Sequence, residues 1–397
     1  MVIQIRRCTP EDNETIWKLV SYAYGAPQAF LEKFIQRLNL IGNEFFLNEV
    51  DGNAVALARV LELEQNVRGI LKPMAGIGMV ASAPESRRLG YTYDLIRGIF
   101  LIIKDDGFAV STLYPFKDTF YEALGYAKMP PTQTLELNPN TLSGIKMPAG
   151  YSARREEGED MLKIRRALHE AMITNIHGAV MRSNLRWEEL NRNFSQKAVV
   201  ARNSVGEPEG IMLYAMKGYG EGHSWAETGQ INVIEFTWTS LEARDTLLNF
   251  IYKHADQIVK VLMVISPKHE DYYHWISNVY APNLKSNGVT MARIVDVEKS
   301  CSGFNAGHLD PFLLEVRDSQ IKTNSGVFEF SESDGSLSVR RTGGNAKTTV
   351  SIEGLTSILY GTLGEAQLRR LGWFEGEPTD QLFELFPRAV PWLTEDF

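Results

Sequence analysis

Cysteine is nearly missing from this chain: 397 residues contain two, Cys8 and Cys301, far apart in the sequence. That excludes a disulfide framework and fits a reducing compartment, with both thiols expected as small buried apolar groups. Long apolar runs are missing too. The longest, around Ile99 to Ile103, falls far short of the roughly 20 residues that span a bilayer. Met1 to Arg7 alternates and then turns basic, without the apolar centre of a signal peptide. The expectation is a cytoplasmic protein with no membrane partner. Positive charge is not in excess, since 41 Lys and Arg against 49 Asp and Glu give a formal charge of −8. A nucleic-acid partner is therefore not expected, whereas a cationic small molecule is compatible. No P-loop occurs, and Gly76-Ile77-Gly78 is only a weak echo of a dinucleotide fingerprint that opens no helix. His269 and His274 lack the i, i+4 spacing of a helical zinc site, which assigns them to a surface loop and leaves no metal expected.

What is present is a globular composition, 44% hydrophobic and 23% charged, in a chain long enough for two to three domains with sizeable cores. The first segment, 1–145, opens with a strand over Val2 to Arg6. Thr9 as N-cap, Pro10 in the first turn and Glu11 and Asp12 behind it then start a helix through Ile16, Leu19 and Val20. Strands follow at Glu44 to Asp51 and Ala54 to Leu63, joined by Asp51-Gly52-Asn53, and another at Ile77 to Ala83. Leu95, Ile96, Ile99, Phe100 and Ile103 recur at helical spacing, closed by Gly107. A strand over Phe108 to Tyr114 and a short helix around Phe120 to Leu124 complete a mixed α/β pattern. The second segment, 146–288, repeats this order of elements in outline, with Ser240 capping a helix and a strand from Ile258 to Pro267. The third, 289–397, changes to short strands at Phe312 to Val316, Val327 to Phe330, Leu337 to Arg340 and Thr348 to Ile352. Helices through Ile358 and Leu359 and through Ala366 to Leu371 pack on them, and a Pro-rich tail leads to Phe397.

One stretch carries chemistry: Met79-Val80-Ala81-Ser82-Ala83-Pro84-Glu85-Ser86-Arg87-Arg88-Leu89-Gly90-Tyr91-Thr92. A strand passes through a basic loop with one glycine into a helix N-terminus, where unpaired N–H groups and the positive end of the helix dipole suit a diphosphate. Gly90 permits close backbone approach, and Arg87 and Arg88 add charge. The bland alternative is a solvated basic loop. A tyrosine between Phe120 and Leu124 is by itself a core residue, and Met79, Phe100 and Phe108 are read as core too. The second segment offers a contrast: its corresponding loop, Ser240-Leu241-Glu242-Ala243-Arg244-Asp245, has no glycine, and Glu242 and Asp245 would repel a diphosphate, so none is expected there.

Arg87-x-x-Gly90 after Val80-x-x-x-Pro84 resembles the acetyl-CoA loop of the GNAT acetyltransferase superfamily. Leu113-Tyr114-Pro115-Phe116 followed by Phe120-Tyr121-Glu122-Ala123-Leu124-Gly125-Tyr126 resembles the segment that supplies the catalytic tyrosine of Eis-type acetyltransferases, and the layout ending in Phe397 is similar as well. The resemblance implies two tandem GNAT-like domains followed by a sterol-carrier-protein-like α+β domain, whose apolar strands read as a core rather than a lipid groove. It implies acetyl-CoA as co-substrate, lying against Val80, Ala81 and Ser82. The diphosphate would rest on backbone amides within Arg87, Arg88, Leu89, Gly90, Tyr91, Thr92 and Tyr93, with Phe116 and Lys117 on the far side. Tyr121 would be the general acid and the Phe397 α-carboxylate the general base. Thr92 departs from the Gly or Ala that most GNAT loops carry there. Aminoglycoside-like or polyamine substrates and a hexamer are the family's habit, with Tyr24, Phe30, Glu395 and Asp396 as candidates for an acidic, aromatic substrate pocket. A protein lysine or N-terminal acetyltransferase, and a non-catalytic lipid- or ligand-binding module, remain as alternatives.

Overall fold

The computed structural model describes every residue except Met1, Asn193, 219–228, 269–271 and Val279, so His269 lies outside the described residues. The chain divides into two compact units. One comprises Met1–Pro130, His177–Leu190 and Val289–Phe397, and the other Pro131–Ile176 and Asn191–Gly288.

In the first unit, β1 (Ile3–Arg7) leads to Thr9, whose N–H donates to the Asp12 carboxylate at 2.7 Å. This closes a turn over Pro10 ahead of α1 (Asn13–Tyr24), which buries Ile16, Trp17, Leu19 and Val20 and ends at Gly25 with φ 64°. After α2 (Leu31–Ile41) come the antiparallel strands β2 (Phe45–Val50), β3 (Asn53–Val67) and β4 (Ile70–Ser82). Side chains alternate across this sheet. Phe45, Leu47, Leu57 and Ala81 pack with α1 and α2, while Phe46, Ala58, Val60 and Ile77 pack with α3 (Tyr91–Asp105). Leu95, Ile96, Ile99, Phe100 and Ile103 form the buried face of α3, as their spacing predicts. Burying each such side chain contributes about 1.5–3 kcal/mol. β5 (Val110–Leu113) runs parallel to β4, and α4 (Asp118–Glu122) and β6 (Ala127–Met129) follow. β4 begins well before Ile77, where the sequence reading starts it, because Lys72, Pro73 and Gly76 interrupt its apolar pattern.

A strand from far along the chain, Thr290–Ile294, pairs antiparallel with both β5 and β6 and so completes this sheet. Beyond it, five strands order as Ser336–Thr342, Gly326–Ser333, Phe312–Arg317, Thr348–Ser351 and Phe374–Gly376. The helix Ile352–Tyr360 is buried nearly all round, because one continuous core holds Leu61, Leu63 and Ile294 of the first sheet together with Leu314, Phe328 and Leu355.

The second unit is a seven-stranded sheet in which Gln230–Trp238 is antiparallel to Pro208–Lys217 and parallel to Lys260–Ile265. The helices Gly158–Ile173 and Leu241–Tyr252 belong to it. Gln133–Leu137, within the first 145 residues, is a strand of this sheet. Cys8 and Cys301 are buried and free, and burial pushes each thiol up to about 12. Among the described residues, no helix is long and apolar enough to cross a membrane.

Candidate active site

β4 and β5 pair only from Met74–Val110 to Ile77–Leu113, yet β4 runs on to Ser82. Past Ile77 its backbone keeps β3 on one side and, among the described residues, has no strand on the other. A bulge accompanies the divergence: between Leu57 and Arg59 the register with β4 shifts opposite Met79, which adopts φ 46°. Such a bulge bends and re-aims the strand, leaving a row of backbone groups where an extended chain can add.

The chain next turns through Pro84–Ser86 into a loop that ends with Arg88 at φ 64° and Gly90 at φ 90°. A Cβ at Gly90 would meet nothing within 4 Å, so its backbone conformation rather than its space calls for glycine. α3 starts at Tyr91 with no side-chain cap, and the positive end of its dipole there suits an anion.

These parts line one cavity of about 870 Å³. Of the residues expected from sequence to bind the cofactor, Val80, Ala81, Ser82, Arg87, Arg88, Gly90, Tyr91, Thr92, Tyr93, Phe116 and Lys117 line it. Leu89 does not: it is 61% exposed and outside the lining. Met79, read from sequence as core, lines the cavity as well, because the bulge turns its backbone there. The capless helix start and the two arginines fit a diphosphate, and the unpaired edge of β4 fits an extended arm.

Tyr121, brought in by α4, lines the cavity at 2% exposure. Phe116, Phe120 and Tyr126 meet its ring edge-on at 5.5, 5.0 and 5.8 Å. Its hydroxyl has no hydrogen-bond partner among the described residues. Burial, helped by Tyr126 and Tyr24, pushes its pKa above the ordinary 10, because desolvation disfavours the phenolate.

Phe397 lines the same cavity. Its ring lies 3.1 Å from where a Cβ of Gly76 would stand, and its carboxyl carbon 2.7 Å from that position at Gly78. Residues two apart on a strand share a face, so the two glycines form one seat for ring and carboxylate. The sequence reading set Gly76-Ile77-Gly78 aside as no dinucleotide loop; its spacing of two on a strand was the signal for this different use. Tyr114, also missed, packs edge-on to Phe397 with centroids 6.1 Å apart. Burial first, then Asp396, pushes its hydroxyl up.

The substrate candidates separate. Tyr24 lines the cavity, with its hydroxyl 3.4 Å from the Val80 carbonyl. Phe30 is 54% exposed and outside the lining. Glu395 is a correction: it is 2% exposed and bound to Arg182 and Arg186 at 2.6 and 2.7 Å, so its carboxylate is not available to a cation. Asp396 is exposed beside Tyr114 and outside the lining. Among the described residues, no Asp or Glu side chain lines the cavity, so the expected acidic wall is not found among them. Among the described residues, no cluster of His, Cys, Asp and Glu is placed to hold a metal ion. His274 sits exposed on a short helix, Tyr272–Trp275.

Residues 4–129 match the model of an acetyltransferase (GNAT) domain, residues 178–294 a second acetyltransferase (GNAT) domain, and residues 302–394 a sterol carrier protein domain. No curated protein matches the sequence. Among solved structures, the fold resembles a GCN5-related N-acetyltransferase from Anabaena variabilis (21% identity, 99% of each chain, TM-score 0.87). It also resembles a probable N-acyltransferase from Enterococcus faecalis (20% identity, 100% of each chain, TM-score 0.85) and Eis1 from Mycobacterium abscessus (19% identity, 100% of each chain, TM-score 0.77). Fold and domain matches together define a GNAT-superfamily enzyme, an acetyl-CoA-dependent N-acetyltransferase. Within that superfamily the chain belongs to the arrangement of two tandem GNAT domains followed by a sterol-carrier-protein-like domain, an architecture that resembles Eis proteins.

Proposed function

We propose that the cavity of the first unit transfers an acetyl group to the primary amine of an aminoglycoside-like or polyamine substrate, with Tyr121 as general acid and the Phe397 α-carboxylate as general base. The observation that carries this reading is that Tyr121 and Phe397 line one cavity with the capless N-terminus of α3. Acetyl-CoA supplies the acetyl group as a thioester. The residues of the chain move the protons. A primary amine arrives as an ammonium ion and must lose a proton before it attacks. A terminal carboxylate, with an ordinary pKa of about 3.3–3.7, is ionised at neutral pH and takes that proton directly or through one water. Tyr121, protonated well into alkaline pH, gives its proton to the departing thiolate. Turnover should therefore rise with pH as the amine deprotonates, with no alkaline fall from Tyr121 below about pH 10.

The test measures acetyl-CoA-dependent thiol release with aminoglycosides, spermidine and lysine-containing peptides, on the native chain and on a chain with one glycine appended after Phe397. The expected result is release with the small polyamines, and kcat at least about a hundredfold lower in the extended chain with unchanged acetyl-CoA affinity. Release with peptides alone would shift the substrate to proteins, and wild-type turnover in the extended chain would remove Phe397 from the mechanism.

A further inference from the structure

We infer that Arg186, acting with Arg182 through Glu395, is a positioning residue that holds the Phe397 carboxylate over Gly78. The inference rests on the base role proposed above for that carboxylate. Terminal residues fray unless something ties them down, and a general base must be held within a fraction of an ångström of its task. Here the tail is tied at nearly every residue. The Trp392 N–H donates to the His177 carbonyl at 2.8 Å, and the Val180 N–H donates to the Thr394 hydroxyl at 3.2 Å. A Cβ at Gly178 would lie 2.7 Å from the Trp392 nitrogen, so that glycine lets the two backbones meet. Glu395 then accepts from Arg182 and Arg186, and the carbonyl of Asp396, one residue before Phe397, accepts from Arg186 Nη2 at 2.6 Å.

Arg186 is the hub. Its Nε reaches Glu395 at 2.7 Å, its Nη1 reaches Glu189 at 2.7 Å, and its Nη2 reaches the Asp396 carbonyl. Glu189 accepts both terminal nitrogens of Arg59 at 2.9 and 2.8 Å. Arg59 on β3 is the register partner of Gly78 on β4, the residue whose missing Cβ seats the carboxylate. The circuit therefore starts beside Phe397 and ends at the floor on which it rests. Apolar packing alone would anchor the tail without fixing a direction, and buried charges are costly unless paired. A planar guanidinium that donates along three fixed directions orients what it binds; an ammonium in its place is a point charge.

The test compares three full-length chains: Arg186→Lys, Glu395→Gln, and the native chain carrying one appended glycine. Each is assayed for kcat across pH with a primary amine, and for acetyl-CoA affinity by calorimetry. Arg186→Lys is expected to lower kcat about a hundredfold and to leave acetyl-CoA affinity within about threefold. Its deficit should shrink as pH rises towards the pKa of the amine, because a neutral amine no longer needs the base. A general loosening of the unit would lower kcat equally at every pH and would overturn the inference, as would wild-type kcat. If Arg186→Lys does not fold, the nearly isosteric Glu395→Gln carries the same comparison. A slow extended chain beside a fast Arg186→Lys defeats the positioning role alone. An extended chain as fast as wild type defeats the base role, and the positioning role with it.

Discussion

The two units contain the same corner built twice. In the first, β4 parts from β5 after Ile77, carries a bulge, and is followed by a helix starting at Tyr91. In the second, Gln230–Trp238 stays parallel to Lys260–Ile265 only as far as Val233, shows a register shift opposite Leu213 and Tyr214, and is followed by a helix starting at Leu241. The helix starts then differ in how they are capped. α3 has Gly90 and no cap, with Arg87 and Arg88 just ahead of it. The second helix has Ser240, whose hydroxyl accepts from the Ala243 N–H at 3.1 Å and donates to Glu209 at 2.6 Å. Arg244 is paired with Asp245 and stacks 5.5 Å over Trp275, and Trp275 lies 6.3 Å from Phe236 on the strand beyond its parallel pairing. Side chains of the unit itself pack beside this helix start. Backbone geometry can thus be repeated while one helix start is capped by a side chain and the other is not.

The largest expected break of this contrast is Gly90→Glu, which gives the first corner a side chain and an acid. Repulsion of a diphosphate of about 2 kcal/mol, with left-handed strain of about 1–2 kcal/mol that the free loop can relax and the bound one cannot, predicts an acetyl-CoA Kd weaker by about a few hundredfold. Calorimetry checks this, and unchanged affinity would mean the helix start is not the anion site.

The next effect separates the units by acid. Burial alone would raise Glu189, but Arg59, Arg37 and Arg186 together hold it at about 2, below an unfolded value of about 4.3. A depressed carboxylate contributes stability that is full above the unfolded pKa and is lost as pH falls through the folded one. Glu189 thus contributes roughly 3 kcal/mol that should disappear between about pH 4 and pH 2. Denaturant unfolding followed across that range, with Glu189→Gln flattening the loss, checks it. A loss of the same size in the variant would place the acid sensitivity elsewhere.

The smallest effect tests the closed corner. Ser240→Ala should cost about 1 kcal/mol of stability and leave turnover unchanged. A change in kcat or acetyl-CoA affinity would show that the second corner is not chemically silent.

The sequence disclosed the first corner because its parts are contiguous: strand, basic loop, Gly90 and helix follow one another within Val80 to Tyr93. The periodicity of Leu95 to Ile103 and the caps at Thr9 and Ser240 were readable for the same reason, since each depends on residues within one or two turns. What stayed hidden depends on pairs far apart in the chain. Glu395 read as a free acid beside the terminus, and only packing brought Arg182 and Arg186 to it. Gly76 and Gly78 read as a failed fingerprint, because nothing local shows that Phe397 lies on them.

By itself, then, the sequence determined the main elements and the corner that fits a diphosphate, and it set the expectation that Ser240 to Asp245 takes none, since backbone preference and local charge carry all three. Tertiary structure alone decided that Thr290–Ile294 completes the first sheet and that an arginine network grips the tail. It also decided that Tyr121 and Phe397 meet in one cavity. Such contacts form only when distant segments compete for the same buried surface and the same few buried charges.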